Sequence, residues 1–455
     1  MTLSSLSAIS PIDGRYNSKT VQLQNYFSES SLIKFRVQVE IEYFIALCNT
    51  SIIQLNHFPT EKFSLLRNLY LNFSEKDAVR IKEIESVTNH DVKAVEYFIK
   101  EEFDKLSLNE FNEFIHFGLT SQDINNTAVP YSIKCSLENV FMPELNKLIR
   151  ILELNCDKWK EIPMLARTHG QAASPTVMGK EIKVFVERIT KQIELMKSIP
   201  FNAKFGGATG NFNAHHVAFP KIDWKQFADD FTQKSLGLKR QQTTTQIEHY
   251  DNLSALLDNI NRINNILIDY SRDIWTYISM DYFKQTIKVG EVGSSAMPHK
   301  VNPIDFENSE GNLGLSNALF DYFANKLTKS RHQRDLSDST VLRNVGLGFG
   351  YSIIALKSLI KGLGKIEPNK KFISNELNAN WEILAEPIQT IMRVEGIPDA
   401  YEQLKALSRG SKLDKDSYIQ FVKNLNISKT SKEKLLILTP ASYIGSAVEL
   451  ANAIK

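Results

Sequence analysis

The feature that most constrains this fold is a long run of apolar residues spaced for one face of a helix. Its members recur at intervals of three and four positions: Leu253, Leu256, Ile260, Ile263, Leu267 and Tyr270. This spacing matches the helical turn of 3.6 residues and predicts a long amphipathic helix, with Asp251 placed to cap its start. A helix of about 25 residues is about 38 Å long, so its apolar face needs equally long neighbours.

Four further runs repeat the helical spacing. They are Phe141, Leu145, Leu148 and Leu152; Ile182, Val186, Ile189, Ile193 and Met196; Leu313, Phe320, Ala324 and Leu327; and Phe349, Ile353, Leu356, Ile360 and Leu363. Five long helices between about residues 112 and 364 indicate an extended helical bundle. Alternating apolar and polar stretches with Asn-Gly or Asp-Gly turns are nearly absent. The chain is therefore predicted to be all-α.

Length and turn residues predict how the chain divides. The 455 residues correspond to about three domains at roughly 150 residues each. Pro368 and Asn369 follow the last periodic helix, as expected where a new domain begins. We predict an N-terminal helical domain at 1–111, a central long-helix bundle at 112–364 and a C-terminal helical domain at 365–455.

Composition and charge exclude several classes of partner. The formal net charge is +2, so no bulk attraction to nucleic acid or to an acidic membrane is expected. No stretch approaches the roughly 18 apolar residues of a membrane span, and the N-terminal residues do not resemble a signal peptide. The chain is expected to be cytoplasmic. Its cysteines have no CxxC spacing and its histidines no HExxH spacing, so neither disulfides nor a bound metal is expected.

One loop has a composition that a simple helix connection does not need. Residues 293–303 read GSSAMPHKVNP, which is typical of a non-helical, mobile segment. Taken alone, this loop is equally compatible with a solvated connection that carries an incidental lysine. Gly206 to Gly210 also form a glycine-rich segment, but it lacks the spacing of a nucleotide-binding loop, and we interpret it as a flexible turn.

The 293–303 segment resembles the signature loop of the fumarase/aspartase superfamily. Other blocks extend the resemblance: SPIDGRY at 10–16, TNHDV at 88–92, GLTSQD at 118–123, THGQ at 168–171 and IDFENSEGN at 304–312. The first two and the last are typical of the branch that acts on succinyl-nucleotides. The resemblance implies a three-domain, all-α fold with a central bundle and a cofactor-free β-elimination that releases fumarate.

The resemblance also implies a set of catalytic residues. It assigns Ser294 as the base that removes a proton, and Lys300 as the cation that stabilises the new negative charge. A serine hydroxyl needs such a neighbour to act as a base. His169 is implied to protonate the leaving nitrogen, with Glu307 pairing with it, and His90 is implied to be a further histidine of the site.

A nucleotide substrate requires contacts to its phosphate, base and succinyl carboxylates. The residues implied to make them are Arg15, Tyr16, Asn89, Asp91, Thr120, Ser121, Gln246, Asn302, Asn308, Arg334, Ser339 and Arg343. Arginine suits a bidentate clamp on phosphate. Ser294 lies in the loop predicted to be mobile, whose closure over the substrate would exclude water from the reaction.

The expected reaction releases fumarate from adenylosuccinate, giving AMP, and from succinylaminoimidazole carboxamide ribotide, in purine synthesis. Another lyase of the superfamily, acting like fumarase or argininosuccinate lyase, is the first alternative. His299 and the block around His90 argue against it. A catalytically silent helical scaffold is the second alternative, which has no need of Ser294, Lys300 and His169 together. The resemblance further implies a homotetramer whose active sites are shared between chains.

Overall fold

The structure is a computed structural model that describes residues 4–286, 297, 300–408 and 413–452. It is predominantly helical, and its longest helices have 18 residues or more. They are Glu29–Cys48, Met142–Trp159, Met178–Ser198, Asp251–Ser279, Ile304–Leu327 and Val345–Leu363. The prediction of an all-α chain is thus confirmed.

Shorter helices connect the long ones. They are Asn17–Thr20, Gln24–Phe27, Phe63–Leu71, Glu75–Thr88, Asp91–Lys105, Ser121–Ser136, Asn213–Ala218, Trp224–Asp230, Ser337–Leu342, Lys370–Asn378, Ala385–Val394, Ala400–Ser408, Lys415–Asn424, Lys429–Leu436 and Ala447–Asn452. Single turns of 3₁₀ helix lie at Val21–Leu23, Ile53–Leu55, Thr60–Lys62, Asn109–Phe114 and Trp381–Leu384, and π-helical turns lie at Leu137–Phe141 and Phe231–Ser235.

The apolar runs of the sequence lie on the long helices as predicted. The longest run occupies Asp251–Ser279, a helix of 29 residues that begins at Asp251. Ile260, Ile263 and Leu267 are fully buried there. The other four runs likewise occupy helices, and nearly all of their members are buried. Spacing alone therefore located five of the six long helices that the structure describes, and the sixth, Glu29–Cys48, was not predicted.

Short strands form three two-stranded sheets. Pro163–Thr168 pairs antiparallel with Gln171–Val177, Asn202–Ala203 pairs parallel with Lys239–Arg240, and Phe283–Gln285 pairs antiparallel with Ile366–Pro368. The first sheet is a hairpin that the sequence did not predict. Its two-residue turn is His169-Gly170, which is not one of the Asn-Gly or Asp-Gly pairs that usually indicate a hairpin.

By internal contacts the described chain forms two compact units. Unit 1 comprises residues 1–145, 192–265 and 311–357, and unit 2 comprises residues 146–191, 266–310 and 358–455. Unit 1 has an aromatic-rich core in which the ring centroids of Tyr43 and Phe205 are 5.2 Å apart. In unit 2 the strand Pro163–Thr168 packs against the helix Lys370–Asn378. The three-domain division at 111 and 364 stays a prediction.

Glycines in the helix Val345–Leu363 allow close packing in unit 1. A Cβ at Gly346 would lie 2.5 Å from Phe27, and one at Gly350 would lie 2.8 Å from Ile12. Gly346 and Gly350 therefore serve close packing of this helix, and their spacing is not that of a nucleotide-binding loop. Ile12 belongs to the 10–16 block. The absence of a side chain at Gly350 therefore lets the segment that carries Arg15 and Tyr16 pack against this helix.

No helix of the described residues has both the length and the hydropathy required to cross a bilayer. Within the same ranges, no cluster of histidine, cysteine and acidic side chains is arranged to hold a metal ion. Cys156 is buried, whereas Cys48 and Cys135 are partly buried, and all three are free thiols.

Candidate active site

In unit 1 the TNHDV block forms the junction between two helices. Glu75–Thr88 ends at Asn89, whose φ of 51° lies in the left-handed region, and His90 caps the next helix. The His90 Nδ1 atom accepts a hydrogen bond from the Lys93 amide at 3.1 Å, so this nitrogen carries no proton. The Nε2–H then faces the Ser121 hydroxyl, 3.4 Å away. His90 is therefore both a helix cap and a neighbour of a second predicted site residue.

Asp91 connects two arginines of unit 1. Its Oδ2 atom lies 2.7 Å from Arg36 and 3.3 Å from Arg343. Arg343 also pairs with Glu29 at 2.6 Å. Burial raises the pKa of Asp91, but contacts that favour the carboxylate, led by Arg36 and followed by the Val92 amide and Arg343, outweigh burial and hold this pKa below its ordinary value. The carboxylate is therefore ionised at neutral pH, and Arg343 is held by its acidic neighbours on unit 1.

Thr120 and Ser121 lie at the start of the helix Ser121–Ser136. The Thr120 amide donates to Asp123 at 2.9 Å, which closes a reciprocal cap. Asp123 is fully buried and pairs with the equally buried Lys204 at 2.7 Å. The amides of Gly206 and Gly207 also donate to this carboxylate. The start of the glycine-rich segment, Gly206 and Gly207, is thus not a free turn but is buried and bound to Asp123.

Arg334 joins two further predicted residues of unit 1. Its Nη1 donates to the Gln246 side-chain carbonyl at 3.2 Å, and its Nη2 donates to the Ser339 hydroxyl at 3.4 Å. The Arg334 Nε atom is buried without a hydrogen-bond partner. Gln246, Arg334 and Ser339 therefore form one hydrogen-bonded polar group.

The N-terminal block presents Arg15 to solvent. The Arg15 guanidinium lies 5.9 Å from the centre of the Tyr16 ring, and the Lys19 ammonium lies 5.5 Å from the same ring. Both cations are close enough for an attraction to the aromatic face. This segment therefore offers an exposed arginine beside a tyrosine hydroxyl.

In unit 2, His169 lies at the tip of the hairpin. His169 and Gly170 both have positive φ, at 52° and 75°, and Thr168 pairs with Gln171 on either side. These angles define a type I′ turn, in which histidine is tolerated better than most side chains. Arg167 donates to the Gly170 carbonyl at 3.3 Å and also pairs with Glu376. The imidazole is exposed at the end of a braced turn.

The segment from Lys300 to Asn308 belongs to unit 2. Lys300 is exposed, and its amide donates to the Met297 carbonyl at 3.0 Å. Glu307 lies in the first turn of Ile304–Leu327 and accepts the indole N–H of Trp275 at 3.0 Å. Asn308 accepts the Ser358 hydroxyl at 2.7 Å.

Ser294, Ser295 and His299 lie outside the described residues. Among the predicted residues of unit 1, the described contacts form separate groups: Asp91 pairs with Arg343, His90 faces Ser121, and Arg334 joins Gln246 to Ser339. In unit 2, none of the described contacts joins His169 to Glu307 within this chain.

Several residues that support the site were missed by sequence reasoning. Arg36, Trp275 and Asp338 act through contacts with residues far away in the sequence, for which no local signal exists. Asp123 had such a signal, because it follows Thr120 by three positions in the spacing of a helix cap.

Comparison with known proteins defines the class of this chain. A family model described as lyase matches residues 14–316, and a model described as adenylosuccinate lyase C-terminal matches residues 330–444. The 3-carboxy-cis,cis-muconate lactonizing enzyme from Pseudomonas putida has a TM-score of 0.74 at 17% identity, covering 96% of this chain and 97% of its own. The chain is a lyase with the fold of the fumarase/aspartase superfamily.

Closer relatives identify the family. Adenylosuccinate lyase from Dictyostelium discoideum is 56% identical, with 97% of each chain covered. Adenylosuccinate lyase from Escherichia coli (strain K12) is 47% identical, with 100% of each chain covered. This chain belongs to the adenylosuccinate lyase family.

Proposed function

We propose that this chain releases fumarate from adenylosuccinate, giving AMP, and from succinylaminoimidazole carboxamide ribotide, in the cytoplasm. The observation that carries the proposal is 56% identity to an adenylosuccinate lyase along nearly the whole of both chains. The residues that the chemistry needs, Ser294, Lys300, His169 and Glu307, are present in the sequence.

Elimination begins when a proton is removed from the carbon beside a succinyl carboxylate. The electrons left behind form an aci-carboxylate with a second negative charge, which needs a nearby cation or N–H donors. In our proposal Ser294 takes this proton, and Lys300, exposed in unit 2, stabilises the charge. Asn302 and Asn308 would hold the succinyl group in place.

The second step breaks the carbon–nitrogen bond. His169 donates its proton to the departing nitrogen as the double bond of fumarate forms, which leaves the purine amine neutral. Its exposed position on a braced turn suits a group that must reach a substrate. Because none of the described contacts joins His169 to Glu307 within this chain, we propose that the Glu307 that pairs with His169 comes from another subunit of a homotetramer.

The nucleotide itself is assigned to unit 1. Arg15 and Tyr16, together with Arg334, Ser339 and Arg343, supply cations and hydroxyls for the phosphate. His90 and Ser121, which lie 3.4 Å apart, would contact a succinyl carboxylate, with Thr120 beside them. Asn89, Asp91 and Gln246 complete the contacts to the base and ribose.

A panel of succinyl compounds tests the proposal. Purified protein is incubated in separate reactions with adenylosuccinate, argininosuccinate and malate, and fumarate and the second product are quantified. We expect fumarate and AMP in equal amounts from adenylosuccinate alone. Fumarate from malate or argininosuccinate, with adenylosuccinate unchanged, would replace the proposal with one of its sister activities.

A further inference from the structure

Tyr250 occupies a buried position between three segments that carry predicted substrate residues. It is 2% exposed and has a φ of 61°, directly before the helix Asp251–Ser279. Its hydroxyl accepts a hydrogen bond from Asn126 at 2.7 Å and donates one to Asp338 at 2.9 Å. Asn126 and Asp338 are themselves 1% and 4% exposed. Nothing in the proposed chemistry uses this tyrosine.

Asp338 also contacts Ser339, which is predicted to bind the substrate phosphate. Its Oδ1 atom accepts the Ser339 amide at 2.7 Å and lies 3.3 Å from the Ser339 hydroxyl. The Ser339 hydroxyl in turn lies 3.4 Å from Arg334, which also contacts Gln246. The orientation of Ser339 therefore depends on a carboxylate whose other oxygen is bound by Tyr250.

Asn126 links the same hydroxyl to the other two segments. It belongs to the helix Ser121–Ser136, which begins at the predicted residues Thr120 and Ser121. Its side-chain carbonyl accepts the Glu248 amide at 2.8 Å, two residues beyond Gln246. One hydroxyl thus joins the segments of Ser121, Gln246 and Ser339.

We propose that Tyr250 is a positioning residue that sets the geometry of Ser339 for the substrate phosphate through Asp338. The inference rests on the proposed function, since Ser339 is assigned there to the phosphate. Tyr250 does not touch the substrate in this account. Burial, followed by the charge of Asp338, raises the pKa of Tyr250 well above its ordinary value, so its hydroxyl stays a donor throughout the working pH range.

The variant Tyr250→Phe removes only the hydroxyl. We expect the KM for adenylosuccinate and the Kd for AMP to rise about tenfold, while kcat changes less than about threefold. Phosphate contacts are made equally in the ground and transition states, so their loss raises KM rather than lowering kcat. Tyr418→Phe is the matched control, because Tyr418 is also fully buried and donates to a backbone carbonyl, that of Leu435. It should leave both constants unchanged.

A double-variant cycle separates positioning from general stabilisation. If Tyr250 acts through Ser339, then adding Tyr250→Phe to Ser339→Ala raises KM no further than Ser339→Ala alone. The inference would be overturned if the increases in KM of the two single variants multiplied in the double variant. It would also be overturned if Tyr250→Phe left KM unchanged or lowered only kcat.

Should Tyr250→Phe fail to fold, Asp338→Asn tests the same contact from its other side and should show the same rise in KM. An unchanged KM in that variant would equally overturn the inference. Wild-type protein that does not convert adenylosuccinate would instead contradict the proposed function, so the two failures are distinguishable.

Discussion

At the scale of single residues, the backbone of the hairpin tip holds the proposed acid. Gly170 has a φ of 75°, and a Cβ added there would meet no atom within 4 Å. Gly170→Ala therefore changes backbone preference without adding a clash. We expect a stability cost of about 1 kcal/mol and a loss of turnover of about tenfold, because the turn relaxes and moves His169.

Gly396 offers a matched control for that variant. Its φ is 71°, and a Cβ there would also meet nothing within 4 Å. Gly396→Ala should cost a similar free energy of unfolding and leave turnover intact, as measured by denaturant titration and steady-state rates. Equal losses of turnover in the two variants would contradict a special role for the 169–170 turn.

The buried carboxyl of Glu248 makes the free energy of unfolding depend on pH. Burial raises the pKa of Glu248 to about 8, against an ordinary value of about 4.5. The folded protein therefore keeps a proton that the unfolded chain releases above about pH 4.5, so the contribution of Glu248 to stability is lost as pH rises through about 8.

Glu248→Gln should remove this loss. We expect the melting temperature of the variant, relative to wild type, to increase steadily between pH 5.5 and 8, in scans at a constant protein concentration. Glu113→Gln, at an exposed glutamate, should give a difference that does not vary with pH. A constant difference for Glu248→Gln as well would mean that the carboxyl is ionised in the folded state.

Sequence motifs located the predicted site residues but not the network behind them. The resemblance picked out Ser339 and Gln246 because they match family positions outside the quoted motifs. Tyr250 and Asp338 contact each other across 88 positions, and no spacing in the sequence relates them. Contacts of this kind are set by the packing of helices, which local patterns do not specify.

At the scale of elements, the start of the helix Ser121–Ser136 depends on the buried Asp123–Lys204 pair. Asp123→Ala would leave the Lys204 ammonium buried beside no carboxylate and would also remove the cap, so we expect a loss of about 3–5 kcal/mol. Lys204→Met should cost less, because three backbone amides, those of Thr120, Gly206 and Gly207, still bind Asp123. Equilibrium unfolding in denaturant measures both, and the reverse order would contradict this account.

The long helices were predicted from the sequence and the hairpin around His169 was not, and this difference has a physical reason. The long helices bury one continuous face, and so their period of 3.6 residues is written directly in runs such as Leu256, Ile260 and Ile263. The hairpin around His169 is short, and its second strand contains Pro175, so it shows little alternation. Its pairing becomes visible only in the structure.

At the scale of the whole molecule, exposed apolar side chains on the long helices favour association. Leu154, Val184, Leu195, Leu315 and Tyr322 are each between 41% and 69% exposed. The family resemblance implies a homotetramer, which would bury such side chains between subunits. We expect light scattering at assay concentration to give about 207 kDa, four times the chain mass of 51.8 kDa. A mass near 52 kDa would contradict a shared active site.

In the proposed reaction, Ser294 begins the release of fumarate from adenylosuccinate. The most direct measurement compares adenylosuccinate turnover by wild type, Ser294→Ala and Ser295→Ala, with substrate affinity determined for each. The account predicts conversion to AMP and fumarate by wild type, a loss of orders of magnitude in Ser294→Ala with affinity retained, and a smaller effect in Ser295→Ala. Full activity in Ser294→Ala with loss in Ser295→Ala would contradict it.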